Sequence, residues 1–169
     1  MKYIPLTQNQ FAIVDDQDFD LISQYKWYAH KERKNPNKYY PKSTQLNNGV
    51  REHLTIYSLI MNPPKGYIVD HINGNPLDNR RDNLRICTPK ENNRNMPKSK
   101  DPASSIYKGV SLVKNTGRWY ASIKCDGKSY NLGCYDTEFE AAQIYDKKAT
   151  ELFGEFAKTN FPNIYRKAG

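Results

Sequence analysis

The densest chemistry in this chain lies in residues 69–95, VDHINGNPLDNRRDNLRICTPKENNRN. Asp70 and His71 close a short apolar run, Tyr67-Ile68-Val69, and a Gly- and Asn-rich stretch separates them from Asn83-Leu84-Arg85-Ile86. Thr88, Pro89 and Glu91 then suit the cap, first and third positions of a helix, which puts Asn92 and Asn93 about one turn into it. The order is strand, long loop, strand, helix. A carboxylate beside an imidazole stands at one end and a pair of carboxamides at the other. That set suits hydrolysis of a phosphodiester. A magnesium-type ion prefers oxygen donors and often takes only one or two from the protein, leaving the rest to water and phosphate. Asp70 and Asn92 are donors of that type, with Asn93 open as the alternative to Asn92. A neutral His71 can take a proton from water, since an unperturbed imidazole titrates near pH ~6.5.

The elements that must position these residues are short. Tyr3-Ile4-Pro5-Leu6 and Phe11-Ala12-Ile13-Val14 flank a polar TQNQ turn and predict a hairpin. Asp15 and Asp16 open a short helical segment anchored by Phe19, Leu21 and Ile22. Trp27-Tyr28-Ala29 and Tyr39-Tyr40 read as strands around a Lys- and Asn-rich loop. Residues 54–61, LTIYSLIM, read as a helix ending before Asn62-Pro63-Pro64, with strand as the alternative. Residues 97–104 are polar, carry two prolines and have no apolar period, so they read as a linker. Beyond them, residues 106–113, 118–124 and 129–135 alternate like strands, with Asp126-Gly127 as a type I′ hairpin signal. Thr137 and Glu140 make a capping box, and Ala141, Ala142, Tyr145, Ala149, Leu152 and Phe153 share one helical face before Gly154.

Composition narrows the partners. The chain has 169 residues, enough for one ordinary domain or two small ones. Its 26 Lys and Arg against 18 Asp and Glu give a formal charge of +8, and residues 24–51 hold seven of the basic residues against Glu32 alone. A compact basic protein is a candidate polyanion binder, because each neutralised phosphate releases counterions. No apolar run approaches the roughly 18 residues that span a bilayer, and MKYIPLTQNQ lacks the apolar core of a signal peptide. A cytoplasmic protein without a membrane partner is expected. Cys87, Cys125 and Cys134 form no C-x-x-C pair and have no zinc-finger spacing to the three histidines, so free thiols and no structural zinc are expected.

DHINGN, LDNRRDNLR and the trailing ENNRN resemble the HNH (His-Asn-His) endonucleases, in the form found in phage and intron-encoded homing enzymes. FAIVDDQDFDLISQYKWYAH and LIMNPPKG are similar to the N-terminal half of the same proteins. The resemblance implies a ββα-metal motif. In it His71 is the general base, Asp70 and Asn92 are metal ligands, and Asn83 holds the loop and the base by hydrogen bonds. One divalent ion, Mg2+ or Mn2+, is the implied cofactor. Relatives commonly carry a His-Arg pair before Leu-Ile-Met, whereas this chain has Tyr57-Ser58, so contacts made by that pair are not carried over.

Residues 105–162 resemble the apetala-type (ethylene-response-factor) DNA-binding domain. The likeness rests on Tyr107-Lys108-Gly109-Val110, Gly117-Arg118-Trp119-Tyr120-Ala121-Ser122-Ile123, Leu132-Gly133-Cys134-Tyr135, Glu140-Ala141-Ala142, Tyr145-Asp146 and Asn160-Phe161-Pro162. That family lays a three-stranded sheet into the major groove with a helix behind it. Alternation assigns the faces independently: Trp119, Ala121, Ile123, Tyr130 and Leu132 pack inward. Lys108, Tyr120, Ser122, Lys124, Ser129 and Asn131 make the DNA face, with Arg118 and Lys114 at its rim. Ser111, Val113 and Asn131 depart from the plant pattern, so the plant recognition sequence does not transfer.

The expected architecture is therefore α+β. A nuclease region over 1–96 is followed by a linker at 97–104, a three-stranded antiparallel sheet plus helix domain at 105–163 and a tail at 164–169. Arg80, Arg81, Arg85 and Arg94 are the expected phosphate contacts near the catalytic segment. The expected activity is site-selective cleavage of double-stranded DNA by a protein that binds as a monomer. The alternative is a non-catalytic DNA-binding regulator with a degenerate nuclease region.

Overall fold

The computed structural model describes residues 1–33, 35–96 and 104–162. The chain divides into two compact units, Met1–Lys90 and Glu91–Gly169. The expected linker at 97–104, apart from Ser104, and the tail at 164–169 lie outside the described residues. The fold mixes helices with small antiparallel sheets, in keeping with the α+β expectation.

In the first unit, β1 (Lys2–Pro5) pairs antiparallel with β2 (Phe11–Val14), as the polar turn predicts. A single 3-10 turn, Asp16–Asp18, leads into α1 (Phe19–Ser23), where Ile22 is fully buried but Leu21 points to solvent and anchors nothing. The Trp27 indole is buried and donates to the Ile22 carbonyl at 2.8 Å, which closes the end of α1. Strands β3 (Tyr28–Lys31), β4 (Tyr39–Asn47) and β5 (Val50–Thr55) form an antiparallel sheet in that order. Asn48 and Gly49 join β4 to β5 with φ of 49° and 80°, the left-handed pair that a type I′ turn requires. The helix expected over 54–61 starts late. Leu54 and Thr55 still pair with Ser43 and Lys42, and only Ile56–Met61 winds into α2. Ile4, Ala12, Val14, Ile22, Trp27, Ile56, Ile60 and Leu84 form the core.

Against this core lie β6 (Ile68–His71) and β7 (Leu84–Cys87), an antiparallel ribbon followed by α3 (Pro89–Arg94). The loop between β6 and β7 is fastened to the N-terminal hairpin. Ile13 donates to the Leu77 carbonyl and accepts from the Asn79 amide, both at 2.8 Å.

In the second unit, β8 (Val110–Val113), β9 (Arg118–Cys125) and β10 (Lys128–Tyr135) form the three-stranded sheet, with β9 central. The first strand is shorter than the alternation over 106–113 suggested. Asp126 and Gly127 take φ of 52° and 79° at the hairpin turn, and the register shifts at a bulge between Asn131 and Gly133. Helix α4 (Glu138–Phe153) begins at the Thr137–Glu140 capping box and ends at Gly154. It buries Ala141, Ala142, Tyr145 and Ala149 against the sheet, and Asp146 with them. The Asp146 carboxylate accepts from the amides of Asn160 and Phe161 at 2.7 and 2.8 Å, and Asn160 in turn brackets the Lys108 backbone. This stitching gives Asp146 and Asn160 a packing role.

Candidate active site and nucleic-acid interface

Asp70 and His71 are the last two residues of β6, so alternation sends their side chains to opposite faces of the ribbon. Asp70 lies across from Arg85, whose Nε and Nη2 both donate to Asp70 Oδ2, at 3.0 and 2.7 Å. Both residues are buried, at 7% and 9% exposure. His71, 8% exposed, meets a different environment. The Tyr57 ring stands edge-on to the imidazole, with centroids 5.2 Å apart. His71 Nε2 lies 3.3 Å from Asn79 Oδ1. The fully buried Asn79 spends its Nδ2 on the Pro76 carbonyl, so Oδ1 faces the ring and His71 Nε2–H is the donor. The basic lone pair of the neutral ring is then the one on Nδ1.

Burial holds the His71 pKa below its ordinary value. The Asn79 hydrogen bond and the charges of Asp70 and Asp78 oppose that effect, and the Lys38 ammonium adds to it. The same burial, outweighing the hydrogen bond to Thr55, pushes the Tyr57 phenol up.

Asn83 is buried at the far end of the loop. Its Oδ1 accepts from the Asn73 amide at 3.0 Å and its Nδ2 donates to the Asp78 carbonyl at 2.7 Å. The imidazole donates to Asn79, whereas the Asn83 carboxamide braces the loop through Asn73 and Asp78. Sequence reasoning did not single out Asn79, because a carboxamide in an Asn-rich loop looks the same whether it caps a turn or faces a histidine. On α3, Asn92 is half-buried and Asn93 exposed. The division between the two units falls inside this helix, after Lys90.

The four arginines expected at phosphates all meet carboxylates. Arg80 forks onto Asp78 with two bonds of 2.7 Å, which holds that carboxyl below its usual range. Arg81 forks onto Asp18 at 2.9 and 2.6 Å, and its amide donates to Asp15. Arg85 holds Asp70, as above. Arg94 reaches Asp126 at 3.4 Å and stacks 4.9 Å over the Phe153 ring. Lys108 turns its ammonium to the Arg94 and Met96 carbonyls, at 3.0 and 2.7 Å. Burial, with Lys158 nearby, lowers its pKa to about 8 against the pull of Asp146.

Across the second unit's sheet, cross-strand register aligns Tyr120, Ser122 and Lys124 of β9 with Cys134, Asn131 and Ser129 of β10. Residues paired across strands share a face, and this is the face away from the buried Ala121 and Ile123. Lys124, Ser129 and Asn131 are exposed, Tyr120 and Ser122 half-buried, and Lys114 exposed beside the β8–β9 turn. Arg118 is tied to Asp136 at 2.8 Å. Asn131 Oδ1 accepts from the Gly133 amide and so closes the bulge.

Residues 62–94 match the HNH endonuclease family, a stretch that covers β6, the braced loop, β7 and α3. An uncharacterised HNH endonuclease of Acanthamoeba polyphaga mimivirus is 38% identical over 152 residues, spanning 89% of this chain and 74% of that protein. The chain belongs to the HNH endonuclease family. Protein 3.8 of Escherichia phage T7 is also 38% identical, over 68% of this chain and 93% of its own length. An AP2-like ethylene-responsive transcription factor of Arabidopsis thaliana is 41% identical over 73 residues, or 43% of this chain and 14% of that protein.

HNH endonucleases of the type this chain resembles use a divalent metal ion. Among the described residues, no three His, Cys, Asp or Glu side chains converge into a metal-holding group. A closed zinc-type site needs such a group. An oxygen-preferring ion held by one carboxylate and one carboxamide does not. The Asp70 carboxylate is an oxygen donor of the kind such an ion prefers, and the Arg85 fork fixes how it is presented. No helix among the described residues is long and apolar enough to cross a membrane.

Proposed function

We propose that this protein is a site-selective DNA endonuclease of the homing type, hydrolysing phosphodiester bonds by HNH chemistry with one divalent ion. On this reading β6, β7 and α3 make the ββα-metal motif, and residues 105–163 form a separate module that meets double-stranded DNA through its sheet. The observation that carries the reading is the setting of His71. A buried imidazole has its Nε2–H fixed by a fully buried carboxamide and its pKa held below the ordinary value. Such a ring is neutral at pH 7 and has a defined tautomer, as a general base requires.

Asp70 and Asn92 would hold Mg2+ or Mn2+, which when bound would stabilise charge on the scissile phosphate and the leaving oxygen. His71 takes a proton from the attacking water on Nδ1, while Asn79 keeps the ring from rotating. Asn83 fixes the loop that carries Asn79. Arg85 neutralises part of the Asp70 charge and sets its orientation. Lys114, Lys124, Tyr120, Ser122, Ser129 and Asn131 contact DNA and the protein binds as a monomer. Supercoiled plasmid incubated with the protein in Mg2+ or Mn2+ should relax or become linear, and EDTA should stop it. Intact plasmid under both metals, with duplex binding retained, would instead favour a DNA-binding regulator.

A further inference from the structure

Arg80, Arg81 and Arg85 each serve a carboxylate, which leaves open which cation near His71 is unclaimed. A cleft of about 310 Å³ opens between the β3–β4 turn and the loop that follows His71. Its lining includes Asn35, Asn37 and Lys38 on one wall and Asn73 and Asn75 on the other, with no acidic residue. Both walls are built. The Lys38 amide closes the turn onto the Asn35 carbonyl at 3.0 Å. Opposite, Asn73 Oδ1 accepts from the Asn75 amide at 2.8 Å, and Asn75 Oδ1 accepts from the Leu77 amide at 3.1 Å. That leaves the Asn75 Nδ2 donors with no protein acceptor among the described residues. Lys38 forms no ion pair among them either, and its ammonium lies 5.4 Å from the Tyr40 ring centroid.

We infer that this cleft binds the sugar–phosphate backbone of the DNA strand next to the scissile phosphate, with Lys38 Nζ and Asn75 Nδ2 donating to one phosphate. The inference rests on the nuclease reading above. An ammonium and an amide NH2 complement a phosphodiester, and the carboxylate behind the wall, Asp78 bonded to Asn73, is already neutralised by the Arg80 fork. The cleft shares its wall with the loop that starts at His71: Gly74 in its lining donates its amide to the His71 carbonyl at 2.8 Å, which places the site near the reacting bond. The β3–β4 turn is thus a backbone-positioning element, not a reader of bases.

Affinity of the full chain for a mixed-sequence duplex, measured against salt in EDTA, tests this apart from cleavage. Lys38→Ala should reduce the salt slope by about one, the signature of a lost phosphate contact. Lys38→Arg should restore it, and Asn75→Asp should weaken binding by placing a negative charge at the same wall. Melting of each variant should match the parent. An unchanged slope in Lys38→Ala, with Asn75→Asp binding normally, would overturn the cleft, as would failure of the parent to bind duplex DNA. Should Lys38→Ala not fold, Lys38→Gln carries the same test. A reduced slope in a protein that never cuts plasmid would remove the nuclease reading and leave the phosphate site standing.

Discussion

The loop between β6 and β7 and the outer face of the second unit's sheet are both polar, yet they are built in opposite ways. In the loop, Asn73, Asn79 and Asn83 each spend side-chain atoms on named partners a few residues away, and Asn79 and Asn83 are buried. On the sheet face, Lys124 and Ser129 are exposed and make no side-chain hydrogen bond among the described residues. A buried, fully bonded network is rigid and costly to disturb, which suits holding one side chain in a fixed orientation. Exposed groups on a rigid sheet keep their hydrogen-bonding capacity for a ligand. Substitutions should therefore fail differently in the two regions.

The largest effect belongs to His71→Ala. Loss of the general base should lower turnover by roughly 100- to 10,000-fold while duplex affinity stays near the parent value. Single-turnover nicking beside a binding isotherm measures both, and wild-type turnover would refute the assignment. Asn79→Ala should come next and should mix the two modes. It strips a buried imidazole of its acceptor, at a cost of about 1–3 kcal/mol in stability, and turnover should drop beyond what the lower folded fraction explains. Thermal melts and rates taken below the melting range separate the two parts. On the sheet, Lys124→Ala should leave melting unchanged. It should cost about 1–3 kcal/mol at one base position if the ammonium reads a guanine edge, or lower the salt slope by about one if it meets a phosphate. Loss of stability without loss of binding would mean that the faces are reversed.

The smallest effects are those of pH, and they too differ between the units. Because burial places the His71 pKa below its ordinary value, the unfolded chain binds more protons as pH falls under about 6.5. Activity should persist to below that pH, and stability of the first unit should decline over the same interval. Lys108 titrates near pH 8 when folded against 10.5 in the ordinary case. Between those values the unfolded chain again holds the extra proton, so the Lys108 contribution to second-unit stability should rise with pH. Lys108→Met should flatten that rise in melting curves taken from pH 8 upward.

Local signals carried much of this fold. The alternation of β9 and β10, the Asp126-Gly127 turn and the Thr137–Glu140 box each depend on residues adjacent in sequence, and all three appear as predicted. Asn48-Gly49 is a turn signal of the same strength, but its flanking strands show no clean apolar alternation, and Leu46 and Val50 beside the turn stay exposed. Leu54 and Thr55 read as helix and are strand, since pairing with Ser43 and Lys42 outweighs a weak local preference. At the candidate site, the segment that carries Asp70, His71 and Asn83 was legible by type and spacing, and it lies within the stretch that matches the family. The arginine partners were not: Asp18 is 63 residues from Arg81, and no periodicity links them.

That long-range tie bears on how this enzyme type is transplanted. The stretch that matches the family begins at residue 62, but Ile13, Asp15 and Asp18 hold its loop by backbone bonds and an arginine fork. The motif is therefore no portable cassette. Grafted onto another scaffold without the N-terminal hairpin, it would lose the brace that seats Asn79, and with Asn79 the orientation of His71.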